Sequence, residues 1–384
     1  MSGTVSPSGR DAEPAGGWPV TLWLGLGVIA LAEVFILIDY FARGQVIVGP
    51  GSMTLPRPEG SVERVARFVA VNMTPICWAG YLLLFEGLLT KLAWRGGDAG
   101  GGCIRKRPWM FIACFLTSVP VWCYWDWINF YFMDAWRYYG LTRSVALRYA
   151  GYFIAFAAIS PGMFLAAQLF QRLGMSKLNT ATGPRAAKNT LYVCVALAVS
   201  IVIGLMLHWR HTDMYFGLSL PWAIALLLGP GFAMMVVSRA KLLPASLGFG
   251  VGWVVFSFII ANPVGNFVMW ASPVFLLDPI NRWLGMPSLL ADWRDGRWGR
   301  TIALMAGGLL CGFCWEFWNY LAIAKWVYHL PMLGPLEQYK YFEMPLIGLM
   351  GFLPFGPACW VMWQTLRAMM PGVTEPLPTD DDVL

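Results

Sequence analysis

The sequence predicts an all-α, polytopic integral membrane protein of about ten transmembrane helices, built on an internal parallel duplication. Three observations predict it. Hydrophobic residues make up 58% of the chain and charged residues only 12%, against roughly 25% charged in an ordinary soluble domain. Apolar runs recur along the whole length, each near the roughly 20 residues that cross a hydrocarbon core of about 30 Å as a helix. A helix is the required form, because lipid offers no partner for backbone N–H and C=O groups. Finally, the chain repeats itself. Residues 125–138 read WDWINFYFMDAWRY and residues 315–328 read WEFWNYLAIAKWVY, so that Trp125, Asn129, Trp136 and Tyr138 recur as Trp315, Asn319, Trp326 and Tyr328. Asp126 stands opposite Glu316 and Trp127 opposite Phe317. A second match upstream sets Trp78, Ala79, Leu84 and Glu86 against Trp270, Ala271, Leu276 and Asp278.

Residues 1–17 are polar and lack the apolar core of a signal peptide, so the run at 20–42 is expected to be an uncleaved first span. Further spans are expected near 69–93, 109–133, 149–172, 190–208, 219–238, 246–262, 264–282, 301–323 and 343–368. Loop charge sets their orientation through the excess of Lys and Arg on the cytoplasmic side. Lys91, Arg95, Arg105, Lys106 and Arg107 mark one loop, Lys177, Arg185 and Lys188 a second, and Arg282, Arg294, Arg297 and Arg300 a third. All three fall on the cytoplasmic side when 246–282 holds two spans divided at Asn262-Pro263, and both termini are then cytoplasmic in a cell inner membrane. The loop at 135–148, with Arg137, Arg143 and Arg148, is the exception and lies outside. This order makes 18–173 a first repeat with a leading helix, 174–244 an intervening hairpin, 245–370 a second repeat, and 371–384 an acidic disordered tail. Parallel repeats share an interface about an axis near the membrane normal.

The repeated motif falls in the outer part of the bilayer. Asp126 lies about 28 Å, and Glu316 about 22 Å, along helices that start at the cytoplasmic face. Asp126 and Asn129, like Glu316 and Asn319, are spaced to share a helix face. Trp315 and Trp318 share an adjacent one, to which Trp326 returns. Glu337 and Glu343 lead into the last span, with Glu337 also placed to pair with Lys340. These acids are expected to converge on one outer cavity walled by indole and phenol rings. An acid inside a membrane is a candidate for function by default. Against that stands the aromatic belt of ordinary membrane proteins, which accounts for Trp136, Tyr138, Trp326 and Tyr328 as interface anchors. Glu86 and Asp278 are read as interfacial charges held by neighbouring cations, and Glu33 as an acid near the middle of the first span.

Other signals carry less. Cys311 and Cys314 form a C-x-x-C within an apolar helix, with no second pair at metal-site spacing, so no metal is expected. Three histidines, His208, His211 and His329, cannot supply the facing pairs that buried haems need. Gly348, Gly351 and Gly356 are expected to allow close helix packing. No phosphate loop or nucleophile elbow is found, and the net charge of +6 sits in the cytoplasmic loops, which gives no reason to expect nucleic acid.

A duplicated three-span unit with these motifs resembles the lycopene cyclase domain of heterodimeric and fused carotenoid cyclases. That family shows a W-D motif at the end of its second span, then W-x-F/Y, then P-x-E-E opening the third. Here the second copy offers W-E-F-W-N at 315–319, W-V-Y at 326–328 and P-L-E-Q at 335–338. The first copy offers W-D-W-I-N at 125–129 and W-R-Y at 136–138. Gln338 replaces the second family acid, and the first copy has only Arg148 and Tyr149 before its last span. The W-E-F-W-N and F-E-M-P-L segments also resemble a family of bacterial multipass proteins. The cyclase resemblance implies cofactor-free isomerisation of an isoprenoid lipid. Glu316, Asp126, Glu337 and Glu343 would then be the proton-transferring acids. Trp315, Trp318, Asn319, Trp125, Trp127 and Asn129 would line the substrate. A non-catalytic lipid- or quinone-binding subunit of a membrane complex, or a transporter, fits the same repeat, and the sequence names no protein partner.

Overall fold

A computed structural model describes residues 17–51, 54–96, 102–178, 263–370 and 383 of the chain. The spans expected at 190–208, 219–238 and 246–262, with His208 and His211, lie outside them. The described chain is mostly helical: α1 (Val20–Ala42), α2 (Ser61–Val71), α3 (Met73–Arg95), α4 (Cys103–Lys106), α5 (Pro108–Ile128), α6 (Val145–Arg172), α7 (Pro263–Trp283), α8 (Leu289–Arg294), α9 (Gly299–Leu321) and α10 (Phe352–Ala368). Two short strands, β1 (Trp136–Tyr139) and β2 (Lys325–Tyr328), follow α5 and α9, and β3 (Lys340–Tyr341) pairs with β4 (Met344–Pro345) before α10. Among the described residues five helices are long and apolar enough to cross a membrane: α1, α3, α5 carried on to Tyr131, α6 and α9.

α1 covers the expected first span, and its lipid side shows in the exposed Trp23, Leu31, Val34 and Phe41. Its narrow buried stripe, Leu22, Gly25, Ala32, Ile36 and Asp39, packs on α3. Asp39 is held by Arg43 at 3.1 Å and Arg67 at 2.6 Å. Arg43 also donates to the Leu321 carbonyl at 2.5 Å, satisfying one of the acceptors that a helix C-terminus leaves without an intrahelical donor.

Two expected spans are redrawn. The one at 69–93 is two helices, because the chain breaks at Asn72. α2 is amphipathic and carries Glu63, Arg64 and Arg67, so it cannot share the apolar path of α3. The span expected from 343 begins as a helix only at Phe352, since Phe342 adopts a positive φ and residues Leu346–Gly351 form a tighter 3-10 turn. α10 therefore has 17 residues, and Glu343 lies before it in a loop.

The two copies pack alike. α3, α5 and α6 of the first correspond to α7, α9 and α10 of the second; α3 packs on α6 as α7 does on α10, and α5 on α6 as α9 on α10. Close approach depends on glycine where a Cβ would collide: one on Gly356 would sit 2.1 Å from the Leu304 carbonyl oxygen, and one on Gly308 2.5 Å from that of Phe352. Glu86 and Asp278 are not paired with cations as their main partners. Glu86 accepts from the N–H groups of Ile104 and Arg105 in α4, and Asp278 from those of Leu289 and Leu290 and from the Ser288 hydroxyl. Each repeated acid thus pins the short helix that leads into the motif helix, α5 or α9. The tail also departs from expectation at its described residue, Val383. It is buried, donates to Gln168 at 2.6 Å and accepts from the Trp360 indole at 3.0 Å.

Candidate functional site

The W-D/E-x-x-N motif ends a helix and then folds the chain back over it. In the first copy α5 passes into a wider π turn over Asn129–Met133, and Asp134 takes a left-handed conformation that reverses direction. The Asn129 amide oxygen accepts from the N–H groups of Ala135 and Trp136, and its nitrogen donates to the Trp136 carbonyl at 2.8 Å. Asn319 repeats this, accepting from Trp326 N–H at 2.9 Å and donating to the Trp326 carbonyl at 2.8 Å. Both asparagines, expected to line the substrate, instead fix the start of a strand.

The strands then pair with each other across the molecule. β1 and β2 run antiparallel, with Trp136 opposite Tyr328 and Tyr138 opposite Trp326. Because Trp136 corresponds to Trp326 and Tyr138 to Tyr328, each copy's indole meets the other copy's phenol, the register a local two-fold axis requires. Gly140, at φ 63°, ends β1 tight against Ile323, whose carbonyl oxygen would lie 2.0 Å from any Cβ there. The pairing also corrects Trp326, which lies on β2 and not on a continuation of the motif helix.

From this ladder the side chains return to the acids. Asp126 accepts from the Trp136 indole at 3.1 Å and the Tyr138 hydroxyl at 2.9 Å. Glu316 Oε1 accepts from the Trp326 indole at 3.2 Å, the Tyr328 hydroxyl at 2.9 Å and the Trp315 indole at 2.7 Å. Burial and the adjacent carboxyl groups push both phenols, Tyr138 and Tyr328, well up from their ordinary range, which keeps them protonated. The belt reading of these four rings is replaced: they face inward and hold the two acids.

Their inner faces wall a cavity of about 160 Å³ between the two copies. Trp78, Trp122, Trp136, Trp270, Trp315 and Trp326 line it, with Tyr138, Tyr152 and Tyr328 and the rings of Phe156, Phe352 and Phe355. Copies exchange partners here as well: Trp78 meets Trp315 edge-on at 6.5 Å, and Trp270 stacks on Trp125 at 4.3 Å. Trp125 is fully buried behind the wall.

Other expected site residues stand elsewhere. Trp127 is 47% exposed and leans on Tyr131, because the helix turns that position away from the interface. Trp318 is buried, packed on Trp78 and Tyr81 and not on the cavity. Glu337 accepts from the Leu330 N–H at 3.0 Å, so it braces its own loop and neither reaches the cavity nor pairs with Lys340. Glu343 forms an ion pair with the buried Lys325, which also donates to the Tyr320 carbonyl at 2.8 Å. Burial pushes the Lys325 ammonium down and Glu343 opposes the shift. Glu316 is 0% exposed and, like Asp126, stands behind the rings and does not itself line the cavity.

Sequence reasoning missed Trp122, Tyr152, Phe156, Phe352 and Phe355. Phe156 and Phe352 are counterparts, each five residues before a proline and twelve before a glutamine (Pro161 and Gln168, Pro357 and Gln364), and that recurrence was the signal that could have found them. Trp78 and Trp270 were within reach, since their recurrence was visible, but nothing in the sequence set them opposite the motif of the other copy. Comparison with protein families, curated proteins and solved structures found no match.

Proposed function

We propose that the chain is a ten-span inner-membrane protein of two parallel repeats whose shared cavity takes an isoprenoid or polyene lipid and isomerises it without a cofactor. One observation carries this reading: two carboxyl–phenol pairs, Asp126 with Tyr138 and Glu316 with Tyr328, approach one aromatic cavity from opposite copies. Isomerising a C=C bond needs a proton delivered to one carbon and another removed from a neighbouring one. In this arrangement one phenol gives its proton to the lipid and is recharged by the carboxyl group behind it. In the opposite pair the carboxyl group is ionised and takes up, through its own phenol, the proton that the cationic intermediate loses. The lipid leaves with its atoms unchanged in number, and return of that proton to the first pair restores the protein. The rings attract the intermediate cation through their quadrupoles, and their apolar faces disfavour the water that would capture it.

A second reading has its own support. Both carboxyl groups stand behind the rings, an arrangement that also serves a binding subunit which only holds the indoles in place. Lipids extracted from a host making polyene precursors, with and without the protein, separate the two by chromatography. New isomers with the wild type, lost with Glu316→Gln, are expected for an isomerase. An unchanged profile together with a polyene that co-purifies would leave binding alone.

A further inference from the structure

The cavity is not electrically neutral at its rim. Two cations line it, Lys325 and Arg148. Lys325 is neutralised by Glu343 and capped by the Tyr320 carbonyl. Arg148, in the first turn of α6, has no such partner: its Nε and Nη2 both donate to the Thr142 carbonyl, at 3.0 and 2.9 Å, and no carboxylate pairs with it among the described residues. Asp126 is taken up by Trp136 and Tyr138. A guanidinium has five N–H donors in a planar fork suited to a carboxylate or phosphate. Two of them here share one carbonyl, and the rest have no hydrogen-bond partner among the described residues. Counted back from Phe156 and Phe352, which hold corresponding places in α6 and α10, Arg148 stands opposite Met344, so this charge belongs to one end of the cavity only.

We propose that the ligand is an amphiphile, with an apolar polyene body among the indoles and an anionic carboxylate or phosphate head on Arg148. This rests on the lipid-binding reading above and adds the head group and its direction: the head lies beside the α6 end of β1, and the body runs inward between Trp136 and Trp315. A pure hydrocarbon would leave the guanidinium uncompensated at the edge of an apolar wall. Hydrogen bonds to charged groups are stronger than neutral ones, so the head sets the binding orientation.

The test is quenching of tryptophan fluorescence in the full-length protein, reconstituted in phosphatidylcholine nanodiscs, by retinoic acid and by its methyl ester at a pH where the acid is ionised. The acid is expected to bind about tenfold more tightly than the ester, as one charge-assisted contact allows. Arg148→Gln should bring the acid down to the ester and leave the ester unchanged, while Arg148→Lys should keep most of the preference. Adding phosphatidylglycerol separates two sources of the anion. Loss of the acid's advantage identifies a membrane lipid head as the occupant, and its persistence identifies a separate acidic ligand. Equal binding of acid and ester by the wild type, or a preference that survives Arg148→Gln, overturns the head-group inference and leaves the cavity reading intact. Failure of both probes to quench overturns both.

Discussion

Asn319 and Asn129 each tie a helix end to a strand with a two-way bond, amide oxygen to N–H and amide nitrogen to carbonyl. Replacing Asn319 with Ala should remove both bonds and leave two backbone groups near a buried ladder without partners, at about 1–3 kcal/mol for each. Thermal unfolding in detergent should show that loss, and Asn319→Asp, which keeps only the acceptor, should fall between. An unchanged midpoint in Asn319→Ala would mean that the ladder is held by other means. The motif was visible at this scale as a list of residues, and its acids and rings do gather at one place. What the sequence could not show was role. An i, i+3 spacing puts Asn319 and Glu316 on one face, but only the reversal after the helix decides that Asn319 meets backbone while Glu316 meets rings.

Among the elements, helices whose apolar runs are unbroken were legible nearly to the residue: α1 and α6 coincide with their expected spans or extend them by a few positions. Errors fell where a helix stops inside an apolar stretch. At Asn72 and at Leu346–Gly351 composition stays hydrophobic while the backbone turns, and hydropathy alone cannot see that turn. Helix packing gives a direct test. Gly356→Ala puts a methyl group within 2.1 Å of the Leu304 carbonyl oxygen, and Gly151→Ala meets nothing within 4 Å. The first should destabilise by about 1–3 kcal/mol, as overpacking does. The second should be neutral or stabilise by up to about 1 kcal/mol, as Ala for Gly does in a helix interior. Thermal midpoints of the two variants in the same detergent make the comparison, and equal midpoints would show that α9 and α10 are not in close contact.

For the whole molecule, the ladder constrains orientation. β1 and β2 follow the C-terminal ends of α5 and α9 and are hydrogen-bonded to each other, so both helices must leave the membrane on one side. Reporter fusions after Arg107 and Arg297 are therefore expected to give the same sidedness, and fusions at Gly140 and Met332 the opposite one. From loop charge, the first pair is expected in the cytoplasm. Opposite signals at Arg107 and Arg297 would exclude the parallel arrangement and the shared cavity with it. The pairing of the halves was legible in outline, since a recurrence of rings and acids inside apolar runs demanded a common interface. Its antiparallel register was not, because four-residue strands between spans look like any other loop.

The exchanged tryptophans bear on why two such units belong in one chain. Trp78 packs on the motif of the second copy and Trp270 on that of the first, so each copy's motif indole is completed by one from the other copy. A single unit would expose Trp125 or Trp315 at an unfinished face and would need a second unit to close it. A two-fold homodimer of one such unit would close that face by association, whereas two units in one chain close it without. Joined units need not be identical, and these are not: Arg148 lines the cavity from the first, and Lys325, paired with Glu343, from the second.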